Sequence, residues 1–227
     1  MSTAIITGAS RGLGRALARE LARRSWRLVI DARTASDLDQ VAAELRSLSE
    51  IQALPGDVAD EAHRQALIDA AGQRIELLVN NASLLGPSPQ PALDAYPLGQ
   101  LEHVFQVNLL APLALTQLAL PRMADGCVIN VTSDAAVEPY PGWGGYGASK
   151  AALDQLSAVL GAEHPELRIY AVDPGDMRTR MHQEAFPGED ISDRPPPEES
   201  VPGVLALIEG TLPSGRYRAR ELVEAAR

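Results

Sequence analysis

The sequence predicts an α/β domain built on a single doubly wound, Rossmann-like parallel sheet with helices on both faces. Three observations support this prediction: short apolar runs alternate with longer segments of helical period, a glycine-rich turn joins the first run to the first helical segment, and polar residues or glycine follow most of the runs. Parallel neighbours need a crossover connection, and an intervening helix supplies it. The expected strand order is 3-2-1-4-5-6, with room for a seventh short strand near Gly215–Arg218.

Each predicted strand is a short run rich in aliphatic and β-branched residues. The six runs are Ala4–Thr7, Leu28–Ile30, Ile51–Leu54, Leu77–Asn80, Val128–Thr132 and Ile169–Val172. Between and after them, apolar residues recur with helical spacing over Leu13–Arg24, Ala35–Leu48, Glu61–Gln73, Leu98–Met123 and Tyr146–Glu163. No internal repeat or composition change divides the chain, so we expect residues 1–227 to form a single domain.

Two stretches fit neither a strand nor a helix pattern. Leu84–Pro97 and Asp176–Ser200 are rich in proline and polar residues. Loops of this length are usually functional lids or disordered segments. We expect residues 176–200 to form a substrate lid, with disorder as the alternative, because Met181 and Phe186 interrupt an otherwise polar stretch.

The composition excludes several classes of function. The chain has 227 residues, a formal charge of −10 and one cysteine, Cys127, which lies in an apolar run and is expected to be a buried strand residue. One cysteine excludes an internal disulfide, a thiolate zinc cage and an iron–sulfur cluster, and no metal site is expected. The negative charge opposes polyanions, so nucleic acid is not an expected partner. No apolar run approaches the roughly 20 residues that cross a bilayer and no signal peptide is recognised, so we expect no membrane partner and a cytoplasmic protein.

The turn after the first strand has the composition of a dinucleotide site. It reads Thr7-Gly8-Ala9-Ser10-Arg11-Gly12-Leu13-Gly14, and a helical segment follows at once. Glycines allow a tight turn and a close approach of the backbone to a pyrophosphate, and the unpaired N–H groups of the first helical turn attract that group. A turn without function is the alternative, but the position between a strand and a helix favours a cofactor site formed by Gly8, Ser10, Arg11, Gly12, Leu13 and Gly14.

The end of the second strand indicates which dinucleotide is bound. A carboxylate there would accept hydrogen bonds from the adenosine ribose of NAD, whereas an arginine would pair with the 2′-phosphate of NADP. The segment Asp31-Ala32-Arg33 offers both groups, and a solvated surface arginine is the alternative for Arg33. Because Arg11 in the glycine-rich turn can converge with Arg33 on one phosphate, we expect NADP(H) to be preferred over NAD(H). Asp31 would then face inward or towards a helix.

A tyrosine and a lysine lie four residues apart at the start of a helical segment. The sequence Tyr146-Gly147-Ala148-Ser149-Lys150 places the phenol and the ammonium on one face of a helix. Lys150 is the only lysine among 20 basic residues, and it follows one of five tyrosines, so a chance placement is improbable. An ammonium beside a phenol lowers the phenol pKa from about 10 and lets it exchange a proton near neutrality. The alternative is a solvated pair on a helix surface.

With these motifs in place, the chain resembles the short-chain dehydrogenase/reductase family, in its short single-domain, NADP-preferring branch. The resemblance runs from Thr3 to about Thr179, and Gly8, Gly12 and Gly14 match the cofactor turn of that family. Ser83 departs from the pattern, because glycine is commonest there. The other matching segments are Asp57-Val58 at the adenine, Asn80-Asn81-Ala82 at the central sheet, Asn108 in the proton relay, Ser133 as the catalytic serine 13 residues before Tyr146, and Pro174-Gly175 with Thr179 at the nicotinamide.

The resemblance implies a separate role for each of four catalytic residues. Tyr146 would donate a proton to the oxygen of a carbonyl substrate, and Ser133 would hydrogen-bond the same oxygen. Lys150 would lower the pKa of Tyr146 and bind the nicotinamide ribose. Asn108 would hold a water that passes protons from solvent to Lys150. Both Tyr146 and Lys150 would therefore touch the cofactor as well as the reacting groups.

Apolar and aromatic residues in the irregular stretches are candidates for the wall of a substrate pocket. They are Leu84, Leu85, Tyr140, Trp143, Met177, Met181 and Phe186. Trp143 is nearest in sequence to the serine and the tyrosine. The alternative is that each of these side chains only packs in the core. If they do line a pocket, they predict an apolar small-molecule substrate of modest size.

The expected function is NADPH-dependent reduction of an aldehyde or ketone to an alcohol, with the reverse oxidation also open. The alternatives are a catalytically idle NADP-binding sensor or scaffold, and an epimerase or dehydratase with tightly held cofactor. A pure binder needs only the cofactor turn, so the combination of Ser133, Tyr146 and Lys150 favours the reductase. The family commonly assembles through helices that correspond to Leu98–Met123 and Tyr146–Glu163, so we expect a homodimer or homotetramer.

Overall fold

A computed structural model describes residues 1–225 and has seven parallel strands in one sheet. The strand order is β3-β2-β1-β4-β5-β6-β7, which confirms the doubly wound α/β prediction and the seventh strand. The strands are β1 Thr3–Ile6, β2 Arg27–Ala32, β3 Ile51–Pro55, β4 Leu77–Asn80, β5 Cys127–Val131, β6 Arg168–Asp173 and β7 Gly215–Arg218. Cys127 is buried at the start of β5, as expected.

Helices cover both faces of the sheet. They are α1 Gly12–Arg23, α2 Ala35–Leu45, α3 Glu61–Ala71, α4 Leu98–Phe105, α5 Ala111–Ala119, α6 Gly144–Glu163, α7 Arg180–Ala185, α8 Val201–Glu209 and α9 Ala219–Ala225. Short 3-10 turns lie at Leu93–Ala95, Leu120–Arg122, Asp134–Ala136 and Pro197–Ser200. A π-helical turn, Gln106–Leu110, joins α4 to α5.

Alternate side chains of β1 enter the two halves of the core. Ile6 packs with residues of α1, α2 and α8, whereas Ile5 packs with residues of α3, α5 and α6. All four residues of β1 are buried, because a central parallel strand is covered on both faces. The apolar runs of the sequence therefore have the composition that their positions require.

Three parts of the fold differ from the sequence prediction. The helical period of Leu98–Met123 is broken by the π-helical turn, which leaves two shorter helices. The stretch 176–200 contains helix α7 and a 3-10 turn, so much of it has regular structure. Helices α8 and α9 were not anticipated.

The segment Leu98–Arg122 is long and apolar enough to cross a membrane by composition alone, but it packs on α3 and α6 as a core helix does.

Buried amides tie the middle of the sheet to α6. Asn80 Nδ2 donates to Asn130 Oδ1 at 2.8 Å, and Asn130 Nδ2 donates to Ser157 Oγ at 2.8 Å. A buried amide costs free energy unless it is hydrogen-bonded. This chain of bonds therefore favours one register between β4, β5 and α6, and α6 carries Tyr146 and Lys150.

Gly203 provides a test of the packing between α8 and α9. A Cβ on Gly203 would collide with the carbonyl of Ala219. We expect Gly203→Ala to lower the free energy of unfolding by about 1–3 kcal/mol, because backbone atoms must move. Gly99→Ala is the matched control, since open space surrounds Gly99 in α4 and alanine favours the helix by about 0.5–1 kcal/mol. Chemical denaturation of both variants measures the difference, and equal stabilities would contradict the described packing.

Candidate active site

A single large cavity follows the carboxyl ends of strands β1 to β6. Its volume is about 940 Å³, and it extends from Arg33 past the glycine-rich turn to Trp143. The lining includes every sequence-predicted cofactor, catalytic and pocket residue except Gly14 and Asn108. Parallel strands bring their carboxyl ends to one edge of a sheet, which is why residues so far apart in sequence meet here.

The glycine-rich turn has the shape that a dinucleotide requires. Gly8 and Gly12 have φ values of +65° and +56°, a region that side chains disfavour. A Cβ on Gly14 would lie 2.5 Å from the carbonyl oxygen of Gly8, so Gly14 allows the helix to pack under the turn. The first turn of α1 has no side-chain cap in the described chain, and its N–H groups are available to a phosphate. The residues present therefore fit a dinucleotide cofactor.

Asn81 supports the glycine-rich turn from the neighbouring strand end. Its Nδ2 donates to the carbonyl oxygens of Thr7 and Gly8 at 2.8 and 3.1 Å. Its contribution to a cofactor site is therefore mainly to hold the backbone of the turn. Ala82 lies directly above Gly8, where an added Cβ would be 2.9 Å from the Ala82 Cα. The two residues explain why the turn accepts nothing larger than glycine.

Asp31 is buried beneath the turn, as expected for a residue that does not meet the adenosine ribose. Its Oδ1 accepts the N–H of Gly8 at 2.7 Å, and its Oδ2 lies 3.0 Å from His63 Nε2. Burial raises the pKa of Asp31, and the hydrogen bonds from His63 and Gly8 oppose that rise. Both carboxylate oxygens are thus engaged inside the protein. His63 was not anticipated, because only the fold brings α3 against the end of β2.

Arg11 and Arg33 remain exposed at the same end of the cavity. Asp57 and Val58 complete this end, and Asp57 Oδ1 accepts the N–H of Ala59 at 2.9 Å. Two exposed guanidinium groups therefore lie at this end of the cavity, where both oxygens of the Asp31 carboxylate are already hydrogen-bonded within the protein. The preference for NADP(H) stays a prediction.

Tyr146 and Lys150 lie side by side in the first turns of α6 and are both buried. Lys150 is 2% exposed; its Nζ donates to the carbonyl oxygen of Val131 at 2.8 Å and lies 5.5 Å from the centre of the Tyr146 ring. Burial lowers the pKa of Lys150 to about 8, and the charge of Asp154 opposes that change. The amine can therefore exchange a proton near neutral pH.

The pKa of the Tyr146 phenol is raised, whereas the sequence analysis expects it to be lowered. Burial raises the pKa of Tyr146 to about 12, although hydrogen bonding by Ser83 and Ser133 lowers it in part. The charges of Asp173 and Asp134 also raise it. The expected lowering of the Tyr146 pKa is wrong, because desolvation of the phenol outweighs the effect of the nearby amine. The phenol therefore keeps its proton throughout the neutral pH range.

Asn108 has a different arrangement from the one expected of a residue that holds a water. Its Oδ1 accepts from the N–H of Leu84 at 2.7 Å and from Ser83 Oγ at 3.2 Å. Its Nδ2 donates to the carbonyl oxygen of Leu84 at 2.9 Å and to Ser149 Oγ at 3.0 Å. These four bonds use the full capacity of the amide, so its side chain has no group left for a relay water. Asn108 instead braces the strand end at β4 against α6 from within the π-helical turn.

Ser133 follows β5 and has an unanticipated acidic neighbour. Ser133 Oγ donates to Asp134 Oδ1 at 2.9 Å, and Tyr140 OH donates to Asp134 Oδ2 at 3.1 Å. Asp134 raises the pKa of Tyr140. The adjacency of Asp134 to Ser133 in the sequence was the signal that could have identified it. Its carboxylate places negative charge at the substrate end of the cavity.

The loop after β6 brings three further predicted residues to the cavity. The Ser200 hydroxyl donates to the carbonyl oxygen of Pro174 at 2.8 Å, and Gly175 has a φ of +74°. Thr179 caps α7, and its methyl group lies 3.6 Å from the position of a Cβ on Gly12. The start of α7 therefore lies against the glycine-rich turn, and the loop closes one side of the cavity.

Aromatic rings line the substrate end of the cavity. The ring of Trp143 lies 5.8 Å from that of Tyr146 and 5.8 Å from that of Phe186. Met181 packs in the same cluster with Leu85, whereas Met177 packs against the main core as well as facing the cavity. Leu84 and Tyr140 complete the wall.

No group of three or more His, Cys, Asp or Glu within residues 1–225 is placed to hold a metal ion.

Comparison with known proteins identifies a family. Residues 2–190 match the model of the short chain dehydrogenase family. The chain is 36% identical over 197 residues to sepiapterin reductase of Mus musculus, covering 79% of this chain and 76% of that protein. It is 34% identical over 191 residues to the rhamnolipids biosynthesis 3-oxoacyl-[acyl-carrier-protein] reductase of Pseudomonas aeruginosa, covering 78% and 73% of the two chains.

A solved structure agrees with the sequence matches. A short chain dehydrogenase from Escherichia coli CFT073, complexed with NADPH, superposes with a TM-score of 0.86. The two chains are 28% identical, and the superposition covers 96% of each. The superposition therefore covers more of the chain than the family model, whose match ends at residue 190.

Proposed function

This chain belongs to the short-chain dehydrogenase family, whose members are oxidoreductases of CH–OH and C=O groups, and we propose that it is an NADPH-dependent carbonyl reductase. One observation carries the proposal. Ser133, Tyr146 and Lys150 meet at one end of a cavity whose other end holds the glycine-rich turn and a pair of arginines. A cofactor that spanned this cavity would bring its reactive ring to the hydroxyl groups of Ser133 and Tyr146.

The residues of the adenosine end would hold NADPH in one orientation. The N–H groups at the start of α1 would bind the pyrophosphate, and Arg11 and Arg33 would bind the 2′-phosphate. Asp57 and Val58 would contact the adenine. Bound NADPH supplies a hydride for the carbonyl carbon. Together these residues would hold the cofactor and exclude water from the adenosine end of the cavity.

Tyr146 would act as the general acid during reduction. Its high pKa keeps the phenol protonated throughout the neutral range, so the proton is in place when a substrate oxygen develops negative charge. Ser133 would donate a hydrogen bond to the same oxygen, which requires its hydroxyl to turn away from Asp134. The phenolic proton of Tyr146 would go to the substrate oxygen, and the product of the reduction would be an alcohol.

Lys150 would restore the proton of Tyr146. An amine with a pKa of about 8 is partly deprotonated near neutral pH and can pass on a proton there, whereas an ordinary lysine is almost fully protonated. Lys150 would also bind the nicotinamide ribose. The side chain of Asn108 braces this region, so we assign the water of the relay to a backbone carbonyl rather than to the amide.

The substrate end favours an apolar or aromatic carbonyl compound. Trp143 and Phe186 offer flat surfaces for stacking, and Met181 offers an adaptable one. Asp134 and Asp176 make this end unfavourable for a carboxylate or phosphate on the substrate. A neutral aryl or alkyl ketone is therefore the best fit, and 3-oxoacyl groups on an acidic carrier fit less well.

The alternatives are an idle NADP-binding protein and an epimerase or dehydratase that retains its cofactor. Neither would consume NADPH in proportion to substrate.

Leu98 and Leu110 are exposed on α4 and the π-helical turn, which supports the proposed homodimer or homotetramer. The cytoplasmic location stays a prediction.

Cofactor choice tests the assignment of the two arginines. Two charge-assisted contacts, each of about 1.5–3 kcal/mol, should make NADPH bind at least about tenfold more tightly than NADH. Arg33→Ala should remove most of that preference, whereas Arg23→Ala, an exposed arginine on α1, should keep it. Fluorescence titration measures both cofactors. Tighter binding of NADH by the wild type would reject the NADP assignment.

Turnover with a panel of carbonyl compounds tests the proposed reaction. We expect NADPH consumption with aryl or alkyl ketones or aldehydes, and formation of one alcohol per NADPH. Tyr146→Phe should bind NADPH within a few-fold of wild type but lose at least about 10²-fold of turnover, the usual contribution of a positioned proton donor. Tyr217→Phe, which loses only a hydrogen bond to Pro213, is the control. Full activity in Tyr146→Phe would contradict its role as the acid.

A further inference from the structure

Arg216 reaches the catalytic region from the last strand of the sheet. It lies on β7, beyond the residues that match the family model, and it is paired with Ala171 of β6. Its Nη2 donates to the carbonyl oxygen of Ser133 at 3.0 Å. Its Nε donates to Asp154 Oδ2 at 2.9 Å, and Nη2 also lies 3.4 Å from Asp173 Oδ2. One guanidinium thus joins the elements that carry the catalytic serine, the catalytic lysine and the loop after β6.

Each of these three contacts acts on a different part of the site. The bond to Ser133 fixes the backbone that aims the serine hydroxyl. Asp154 follows Lys150 by one helical turn, so it lies on the same face of α6. Asp173 accepts the N–H of Gly175 at 2.9 Å, which shapes the turn of the cofactor loop. Removal of the guanidinium would release all three.

The charge of Arg216 also balances one buried and one partly buried carboxylate. Asp154 is 15% exposed and Asp173 is 5% exposed, and Asp154 Oδ1 is buried without another partner in the described residues. The charge of Asp154 raises the pKa of Lys150, and that of Asp173 raises the pKa of Tyr146. Loss of a nearby cation would strengthen both effects, since little solvent intervenes.

The remaining charged and polar groups near the catalytic pair are few. Asp134 faces Tyr146 from the end of β5, and Ser83 and Ser133 face it from the ends of β4 and β5. Lys150 itself is bonded to the carbonyl of Val131. Arg218 lies on the same strand as Arg216, but its side chain is half exposed. Its Nε is 3.9 Å from Asp173 Oδ2, which is farther than the contact of Arg216. Arg216 is therefore the cation with the closest contacts to both carboxylates.

We propose that Arg216 is a positioning residue of the active site, which holds the backbone of Ser133 and offsets the charges of Asp154 and Asp173 beside the catalytic pair. The significance of this assignment for catalysis rests on the proposed function. The assignment itself concerns the protonation of Lys150, which can be measured without turnover. A purely structural role would change stability but would leave that protonation unchanged.

The single lysine allows a direct measurement on the full chain without added cofactor. Selective ¹³Cε-lysine labelling gives one side-chain resonance, which Lys150→Arg assigns by removing it. In the wild type we expect a titration midpoint near 8. Arg216→Gln should raise the midpoint by at least about 0.5 pH unit, because the charge of Asp154 is then unopposed. Asp154→Asn should lower it, and the double variant should return it towards the wild-type value.

A control on the same strand separates proximity from net charge. Arg218→Gln removes the same charge at a solvent-exposed position and should leave the midpoint within about 0.2 pH unit of wild type. An Arg216→Gln midpoint equal to that of the wild type, in folded protein, would overturn the proposal. If Arg216→Gln does not fold by itself, the double variant is compared with Asp154→Asn, and a midpoint that does not rise on loss of the arginine would overturn the proposal.

The pH profile of alcohol oxidation provides the second measurement. Loss of a cation raises the proton affinity of the coupled groups as a whole, so the rising limb of Arg216→Gln should move to higher pH. Arg216→Lys keeps the charge and should recover most of the wild-type profile. Shifted NMR midpoints without any NADPH-linked turnover in the wild type would contradict the proposed function and support the assignment of Arg216. Normal turnover with unshifted midpoints would do the reverse.

Discussion

The burial of one ammonium group constrains most of the active site. Lys150 is almost fully removed from solvent, and a charged amine in that position is unfavourable unless it is hydrogen-bonded and balanced. The carbonyl of Val131 supplies the hydrogen bond, and Asp154 supplies negative charge. Arg216 in turn donates a hydrogen bond to Asp154 Oδ2. The same burial that makes the ammonium unfavourable lowers its pKa to about 8, which gives the lysine a chemical use at neutral pH.

The same burial shifts the pKa of Tyr146 in the opposite direction. Desolvation favours the neutral form of both side chains, so the phenol keeps its proton while the amine loses one more readily. In the proposed reaction, this arrangement would let Tyr146 give a proton and receive one back through Lys150. The Ser133 hydroxyl, which donates to Asp134, would turn its hydrogen bond to the substrate oxygen. The protonation of both side chains is therefore consistent with the proposed reduction.

The sequence predicted the parts of the protein that depend on local pattern. Strand and helix alternation predicted the sheet order, which is confirmed. The glycine-rich turn and the pair of Tyr146 and Lys150 line one cavity, as their positions after β1 and at the start of α6 require, while their roles stay predictions. These placements were predictable because each depends on residues close together in the chain. The π-helical turn around Asn108 was missed, since its residues have an ordinary helical period and only the bonds to Leu84 and Ser149 reveal its role.

Other features required the tertiary structure. The direction of the Tyr146 pKa depends on burial, which spacing along a helix does not report. His63 meets Asp31 only because α3 packs on the end of β2, and Arg216 meets Ser133 only because β7 joins the sheet. Alternate arginines at positions 216, 218 and 220 were a visible pattern, but without the strand order they had no partner to point to.

Replacement of Lys150 by arginine tests the central claim most directly. The guanidinium of Lys150→Arg keeps the positive charge, but it is planar and bulky and does not release a proton at neutral pH. If the compact, titrating amine of Lys150 is required, the initial rate of NADPH consumption with a ketone should fall by at least about tenfold in folded Lys150→Arg, the smallest effect expected when a proton-transfer group is lost. Arg23→Lys, an exposed exchange in the other direction, should retain the wild-type rate. A rate near that of the wild type in Lys150→Arg would contradict the account, because a positive charge alone would then be sufficient.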